Sequence, residues 1–301
     1  MKILIINAMG YGNIGDDTYP LVFNKYLYKH ELYFANSDPS PIPDNLDLMI
    51  FGGGGLIFDK EGEAHLSYMA RYMNHALKLK IPYCFVSVGI QCRRDYQNNK
   101  WTRDEYARNW VPFFKKAEFA TFRDVGSADY FKDKLKNTDS KCDIYSAPDM
   151  CYLYNWDIFN GKRKNITISP CASAKANFPK VKEELDRLLN LYPEAELVSM
   201  NMGGDNTDDL AEQVQEIYPN RKVRILLSKM VDPKKAINII NQSHHMITGR
   251  YHGLVFCRIC NTPYWTAENP QYKIAVENRQ SNISDSIKHL KILQNYIKHK
   301  V

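Results

Sequence analysis

The sequence predicts an α/β protein made of two doubly wound, Rossmann-like domains facing a cleft. Three observations lead there. Short, continuous apolar runs such as Ile3–Ile6 alternate with stretches of helical periodicity, the pattern of parallel strands buried on both faces and joined by helices. The alternation occurs once in each half of the 301 residues, which is length enough for two domains. A polar stretch from Asn155 to Asn165, with Gly161, Lys162, Arg163 and Lys164, separates the halves. The expected domains are therefore 1–155, and 156–301 with a terminal helix.

Composition narrows the class. A hydrophobic fraction of 44% and a charged fraction of 25% are those of an ordinary globular protein. The net charge of +6 suits a small anionic substrate or a peripheral contact with an acidic membrane surface. It is too weak to argue for nucleic acid. No run approaches the roughly 18 apolar residues of a membrane span, and Met1–Asn7 is too short for a signal peptide, so the expected location is cytoplasmic. Seven scattered cysteines do not form a disulfide framework.

In the first half, Lys2–Asn7 reads as a strand, followed by a glycine turn at Gly10, Gly12 and Gly15 and a helix through Leu21, Val22 and Leu27. Those glycines have dinucleotide-fingerprint spacing, but no acidic residue in a suitable context follows about 20 positions on. A tight strand-to-helix turn is the competing reading. After a loop with Pro39, Pro41 and Pro43, Asp47–Phe51 is a strand running into Gly52–Gly55. Four glycines offer bare N–H groups to an anion or sugar, or permit a very close chain crossing. A helix from Ala64 to Lys80 and a strand from Pro82 to Val88 follow, then a polar loop, Gln91–Lys100. Tyr106, Trp110, Phe113 and Phe114 mark the buried face of one helix. Phe119–Phe122 is a strand, Arg123-Asp124-Val125-Gly126-Ser127 opens a helix through Leu135, and Cys142–Ser146 is a strand before Pro148-Asp149.

In the second half, strands are expected at Ile166–Ser169, Ala195–Met200, Val223–Leu227, His245–Thr248 and Pro263–Trp265. Helices are marked by Val181–Tyr192, Leu210–Ile217, the Asp232-Pro233 start before Ala236–Ile240, and Ser284–Lys300. Gly249-Arg250-Tyr251-His252-Gly253 joins a strand to a helix. Ligands of α/β folds bind at such turns, where helix N–H groups and the dipole attract anions. An arginine there can hold an anion and a histidine can move a proton; the bland alternative is a capped turn with a packed ring. Cys257 and Cys260 form a C-x-x-C without a second pair, which reads as packing rather than zinc or redox chemistry.

Several pieces, in order, resemble the polysaccharide pyruvyl transferases. They are Gly12-Asn13-Ile14-Gly15-Asp16, Gly52-Gly53-Gly54-Gly55-Leu56, Arg123-Asp124 with Ser127, Pro148-Asp149, Thr248-Gly249-Arg250-Tyr251-His252, and Tyr272-Lys273. The resemblance implies a fold similar to the two-domain glycosyltransferase-B enzymes. It also implies transfer of the pyruvyl group of phosphoenolpyruvate to two sugar hydroxyls, giving a ketal. It places His252 in catalysis, and Arg123, Arg250, Tyr251 and Ser127 at the phosphoenolpyruvate. Asn13, Gly15, Asp16, Gly53, Gly54 and Gly55 would form acceptor or phosphate loops. The acceptor would be a sugar, oligosaccharide or lipid-linked glycan. No cofactor or metal is expected, phosphoenolpyruvate being a co-substrate. Thr18 and Tyr19 stand where a small residue is usual, and Tyr251 where leucine is common, so the acceptor pocket is expected to differ. The competing functions are a nucleotide-sugar glycosyltransferase of the same fold, with Glu268 at the ribose, and a non-catalytic sugar- or nucleotide-binding protein.

Overall fold

The computed structural model of the chain describes residues 1–36, 41–59, 65–91, 94–95, 100–154, 156–158, 161–169, 178–203, 208–266 and 282–300. They form two parallel α/β units. Unit 1 comprises Met1–Met9, Tyr19–Tyr154 and Gln271–Val301; unit 2 comprises Gly10–Thr18 and Asn155–Pro270.

In unit 1 the strands are β1 (Lys2–Ile6), β2 (Glu31–Ala35), β3 (Leu48–Ile57), β4 (Tyr83–Ile90), β7 (Phe119–Phe122) and β8 (Asp143–Ser146). They lie in the order β2-β1-β3-β4-β7-β8, and every pairing is parallel. A two-residue antiparallel pair, β5 (Arg94–Asp95) and β6 (Lys100–Trp101), stands apart, within what the sequence reads as loop. The sheet is covered by α1 (Ile14–Tyr26, shared between the units), α2 (His65–Leu79) and α5 (Val125–Leu135). Every residue of β4 is buried, as expected of a central parallel strand. Tyr106, Trp110 and Phe114 are core residues, but their segment is not one helix. It breaks into α3 (Arg103–Ala107), a 3-10 turn (Arg108–Trp110) and α4 (Val111–Phe114). Pro112 lacks the N–H that a continuous helix would direct at the preceding turn.

Two expectations are corrected in this unit. β2 is an edge strand that the sequence reading missed. Gly52–Gly55 is not a turn after a strand but part of β3. A methyl group on Gly52 would fall 2.6 Å from Phe23 of α1, and one on Gly53, whose φ is +80°, would overlap the ring of Tyr19. These two glycines therefore let α1 press onto the sheet, the close crossing that was one of their two readings.

Unit 2 has β9 (Asn165–Ser169), β10 (Glu196–Met200), β11 (Val223–Leu226), β12 (Ser243–Thr248) and β13 (Tyr264–Trp265), in the parallel order β11-β10-β9-β12-β13. Its helices are α6 (Phe178–Leu191), α7 (Asp208–Ile217), α8 (Pro233–Asn241) and α9 (Tyr251–Ile259). α8 is capped as its sequence predicts, Asp232 accepting from the Lys235 N–H at 2.8 Å.

The domain boundaries also need correction. The terminal helix, α10 (Ile287–Lys300), belongs to unit 1 rather than to the second domain. Its apolar face, Leu290, Leu293 and Ile297, is buried, and His289 is held at both ring nitrogens, by Thr121 Oγ1 at 2.7 Å and the Pro148 carbonyl at 2.9 Å. Conversely Gly10–Thr18 folds with unit 2, because Asn13 bridges Gly203 and the Ile14 N–H reaches the Met202 carbonyl at 3.3 Å.

These contacts give two predictions. Gly53→Ala adds overlap with Tyr19 at a left-handed backbone position and should cost about 2–4 kcal/mol of stability; a urea midpoint equal to wild type would refute this. The second concerns His289, whose burial outweighs the charge of Asp149 and lowers its pKa to about 4. The unfolded chain binds a proton below about 6.5 that the fold takes up only near the lower value, so stability falls as pH drops through that window. Between pH 7 and about 4.5, His289→Asn should lose about 2–3 kcal/mol less than wild type, read from urea unfolding of both proteins at each pH.

Candidate active site

The residues singled out from sequence fall into two groups, one in each unit. In unit 2, Arg250 is the N-cap of α9, and its own N–H donates to Thr248 Oγ1 at 3.0 Å. Gly253 packs against Thr248 so closely that a side-chain carbon would not fit. This fixes the first turn of α9 at the carboxyl end of β12. The Arg250 side chain does not cap the helix, in contrast to Asp124 on α5 and Asp232 on α8. A cation at the positive end of a helix is electrostatically unfavourable, by about 0.3–1 kcal/mol at an exposed site. The guanidinium lies in the space that Gly203 leaves free. Gly203 is itself tied to Asn13 by an isolated bridge, and its N–H donates to Asn201 Oδ1 at 2.8 Å.

His252 follows on the first turn of α9 and is only 8% exposed. Its ring occupies the volume that a side chain on Gly15 would need. The Tyr251 ring meets it edge-on, with centroids 5.0 Å apart, and Phe256 lies behind it at 6.4 Å. The Gly15 turn is closed by its own polar groups. Asn13 Nδ2 donates to Asp16 Oδ2 at 2.6 Å, and the Gly10 N–H to Asp17 Oδ1 at 2.7 Å. Burial raises the Asp17 carboxyl above its ordinary pKa, opposed by that N–H. Unit 2 thus brings together Asn13, Gly15, Asp16, Arg250, Tyr251 and His252.

The second group lies at the carboxyl ends of β3, β4, β7 and β8 in unit 1. Arg123 is 2% exposed. Its Nη1 lies 3.5 Å from Asp149 Oδ2 and 3.4 Å from the Tyr19 hydroxyl, which donates to the same carboxylate oxygen at 2.7 Å. The carboxylate beside the Arg123 guanidinium is that of Asp149. Asp124 instead caps α5, accepting from the Ser127 N–H and hydroxyl, both at 2.7 Å. Burial raises the Asp124 pKa and those two bonds pull it back. Ser127 Oγ in turn accepts the Ile90 N–H at 3.0 Å, which makes Ser127 a strut between α5 and β4. Gly53 adjoins this group through Tyr19, whereas Gly54 is buried in β3 and Gly55 accepts a 2.6 Å bond from Gln91.

Sequence reasoning did not select Tyr19, Asp149, Gly89 or Gly203. Asp149 was visible as part of a motif, and Tyr19 as a bulky residue at a position where the family has small ones. Gly89 stood out only as a glycine at the end of a strand; a side chain there would fall 2.7 Å from Arg123 Nε. Cys257 and Cys260 are buried free thiols, raised above the ordinary thiol pKa by burial. Cys257 Sγ lies 3.3 Å from Met246 Sδ, in keeping with packing. Tyr272, Lys273 and Glu268 lie outside the described residues.

A family model described as Polysaccharide pyruvyl transferase matches residues 8–265. The chain belongs to the polysaccharide pyruvyl transferase family. It is therefore a member of an enzyme family, and one whose activity implies a pyruvyl donor and a sugar acceptor. No curated protein matches it. Among solved structures, the fold of this pyruvyl transferase family member is similar to the UDP-GlcNAc 2-epimerase of Methanocaldococcus jannaschii, at a TM-score of 0.59 and 11% identity, covering 97% of this chain and 92% of that one. The S. aureus MnaA–UDP co-structure gives 0.61 and 13% identity, covering 97% and 87%. The UDP-GlcNAc 2-epimerase of Neisseria meningitidis bound to UDP-GlcNAc gives 0.59 and 10%, covering 100% and 93%. At these identities the likeness establishes the two-domain, glycosyltransferase-B-like fold. No helix among the described residues is long and apolar enough to cross a membrane.

The contact between Gly15 and His252 can be tested directly. Gly15→Ala should displace the imidazole and, on the reading that His252 transfers protons, lower pyruvyl transfer by about 10²–10⁴-fold, the range for loss of a general acid–base group. The displacement should also move the His252 ring resonances in a ¹H–¹⁵N spectrum. Unchanged resonances with normal turnover would remove the contact from the site.

Proposed function

We propose that the chain transfers the pyruvyl group of phosphoenolpyruvate to two hydroxyls of a glycan sugar, forming a cyclic ketal and releasing phosphate, with Arg250 on the donor and His252 as the proton-transfer group. The observation that carries this reading is the placement of Arg250. A guanidinium at the positive end of α9, seated against Gly203, gains most when a dianion lies between it and the helix N–H groups. Phosphoenolpyruvate offers a carboxylate and a phosphate, both matched to the two-pronged geometry of arginine.

The reaction needs protons placed rather than electrons moved. A proton added to the methylene carbon makes it a methyl group and leaves an oxocarbenium-like centre at the neighbouring carbon. The first sugar hydroxyl attacks that centre and gives up its proton. Phosphate then departs with the bonding pair, and the second hydroxyl closes the ring with loss of its proton. An imidazole is suited to both directions of transfer near neutral pH. Burial among Tyr251, Phe256 and the Gly15 turn would hold it in one orientation. In the same reading, Asn13, Gly15 and Asp16 shape the acceptor or phosphate loop, and Tyr251 replaces the usual leucine beside it. Arg123 keeps the donor-side role that the family assigns it, oriented by Asp149 and Tyr19, whereas Ser127, fully buried with its hydroxyl bonded to Asp124 and Ile90, only holds α5 in place.

A nucleotide-sugar reading has one point in its favour, that similarly folded proteins are UDP-GlcNAc enzymes. Calorimetric titration with phosphoenolpyruvate and with UDP-GlcNAc separates the two. Phosphoenolpyruvate should bind, and Arg250→Lys should weaken it by about 10- to 100-fold, since a hydrogen bond to a charged group is typically worth about 1.5–3 kcal/mol. Arg123→Lys tests the unit 1 assignment separately, with a loss in the same range. Binding of UDP-GlcNAc with none of phosphoenolpyruvate would overturn the proposal. His252→Ala should keep phosphoenolpyruvate affinity while losing most phosphate release in the presence of acceptor.

A further inference from the structure

A cavity of about 340 Å³ opens in unit 1 beside β8, the last strand of its sheet. It uses none of the motif residues described above. Ile144 and Ala147 from the β8 segment and Ile292 from α10 give it apolar walls. Lys132 of α5 and Lys288 and Lys291 of α10 also line it, and all three are exposed. Lys288 is ion-paired with Asp285 at 3.1 Å. Lys132 and Lys291 have no ion pair among the described residues.

Lysines around an apolar hollow lay their methylene stems along its walls and keep their ammonium groups at the water boundary. Such a hollow rewards a ligand that is apolar at one end and anionic at the other. Two ammonium groups without carboxylate partners favour a dianion over a monoanion. The volume is at the small end of the range for ligand pockets, roughly 300–1,000 Å³, which limits the apolar part to a short aliphatic group. We propose that this cavity is a second small-molecule site that takes a phosphate monoester carried on a short aliphatic group.

One group reports on occupancy. His289 lines the cavity, is fully buried, and has both ring nitrogens in hydrogen bonds, to Thr121 and Pro148. A ligand seated on the cavity wall changes the surroundings of that ring without needing to titrate it.

The test is calorimetric titration of the full chain with octyl phosphate, inorganic phosphate and octanol, beside the double variant Lys132→Gln/Lys291→Gln. Octyl phosphate should bind wild type at least tenfold more tightly than either fragment, lose at least tenfold in the double variant, and move the His289 ring resonances. Co-sedimentation with vesicles containing phosphatidic acid, lost in the double variant, would identify a lipid as the source of the ligand. Octyl phosphate binding without co-sedimentation would identify a free metabolite. Equal affinity for octyl phosphate and inorganic phosphate, equal affinity in the double variant, or unmoved His289 resonances would overturn the proposal. Neither lysine belongs to the proposed transfer site, so phosphoenolpyruvate binding by the double variant should match wild type.

Discussion

The candidate functional side chains of this protein sit where a neighbouring residue has no side chain. His252 fills the space beside Gly15, Arg250 that beside Gly203, Tyr19 that over Gly53 and Arg123 that beside Gly89. In each case a Cβ would overlap or crowd the partner. The glycines therefore act less as flexible hinges than as sockets. Side chains seated this way lose rotamer freedom when the chain folds rather than when a ligand arrives. A group that must deliver a proton or fork onto a dianion benefits from that ordering, because misplacement by an ångström is costly in rate.

The two arginines are held by different physics. Arg123 shares its buried site with the fully buried Asp149, and the Tyr19 hydroxyl completes the carboxylate's bonding. Such a pair adds little net stability, since desolvation offsets the attraction, but removing either member strands a charge. Asp149 thus fixes the position of Arg123 more than it stabilises the fold. Arg250 instead stands at the end of a helix that already carries a positive dipole.

Much of the fold was legible because parallel strands are buried on both faces and announce themselves as apolar runs; β1, β4, β7, β9 and β12 are examples. β2 was not, because it lies at the edge of its sheet and only Ala35 of its five residues is buried. The placement of α10 was equally invisible, since amphipathic periodicity identifies a buried face but not the unit that buries it. The Arg-x-His turn was legible from residue types alone. The Asp149 partner of Arg123 was not, because it is 26 positions away. The glycine runs were half-read. Their small size was noticed, yet what fills the space at Gly53 is the chain's own tyrosine.

The Gly15–His252 contact explains why two motifs so far apart in sequence belong to one unit. The Gly-Asn-Ile-Gly-Asp turn follows the first strand of unit 1 but folds against the second sheet, through Asn13 with Gly203 and Ile14 with Met202. Those backbone contacts set the distance between the turn and α9. At that distance the imidazole fits only if position 15 has no side chain, and a larger residue there would require either a smaller one at 252 or a longer reach from β12. The identities of Gly15 and His252 are therefore coupled by sterics. A sequence reading that treats them as separate motifs sees two weak signals where the fold contains one interlocked pair.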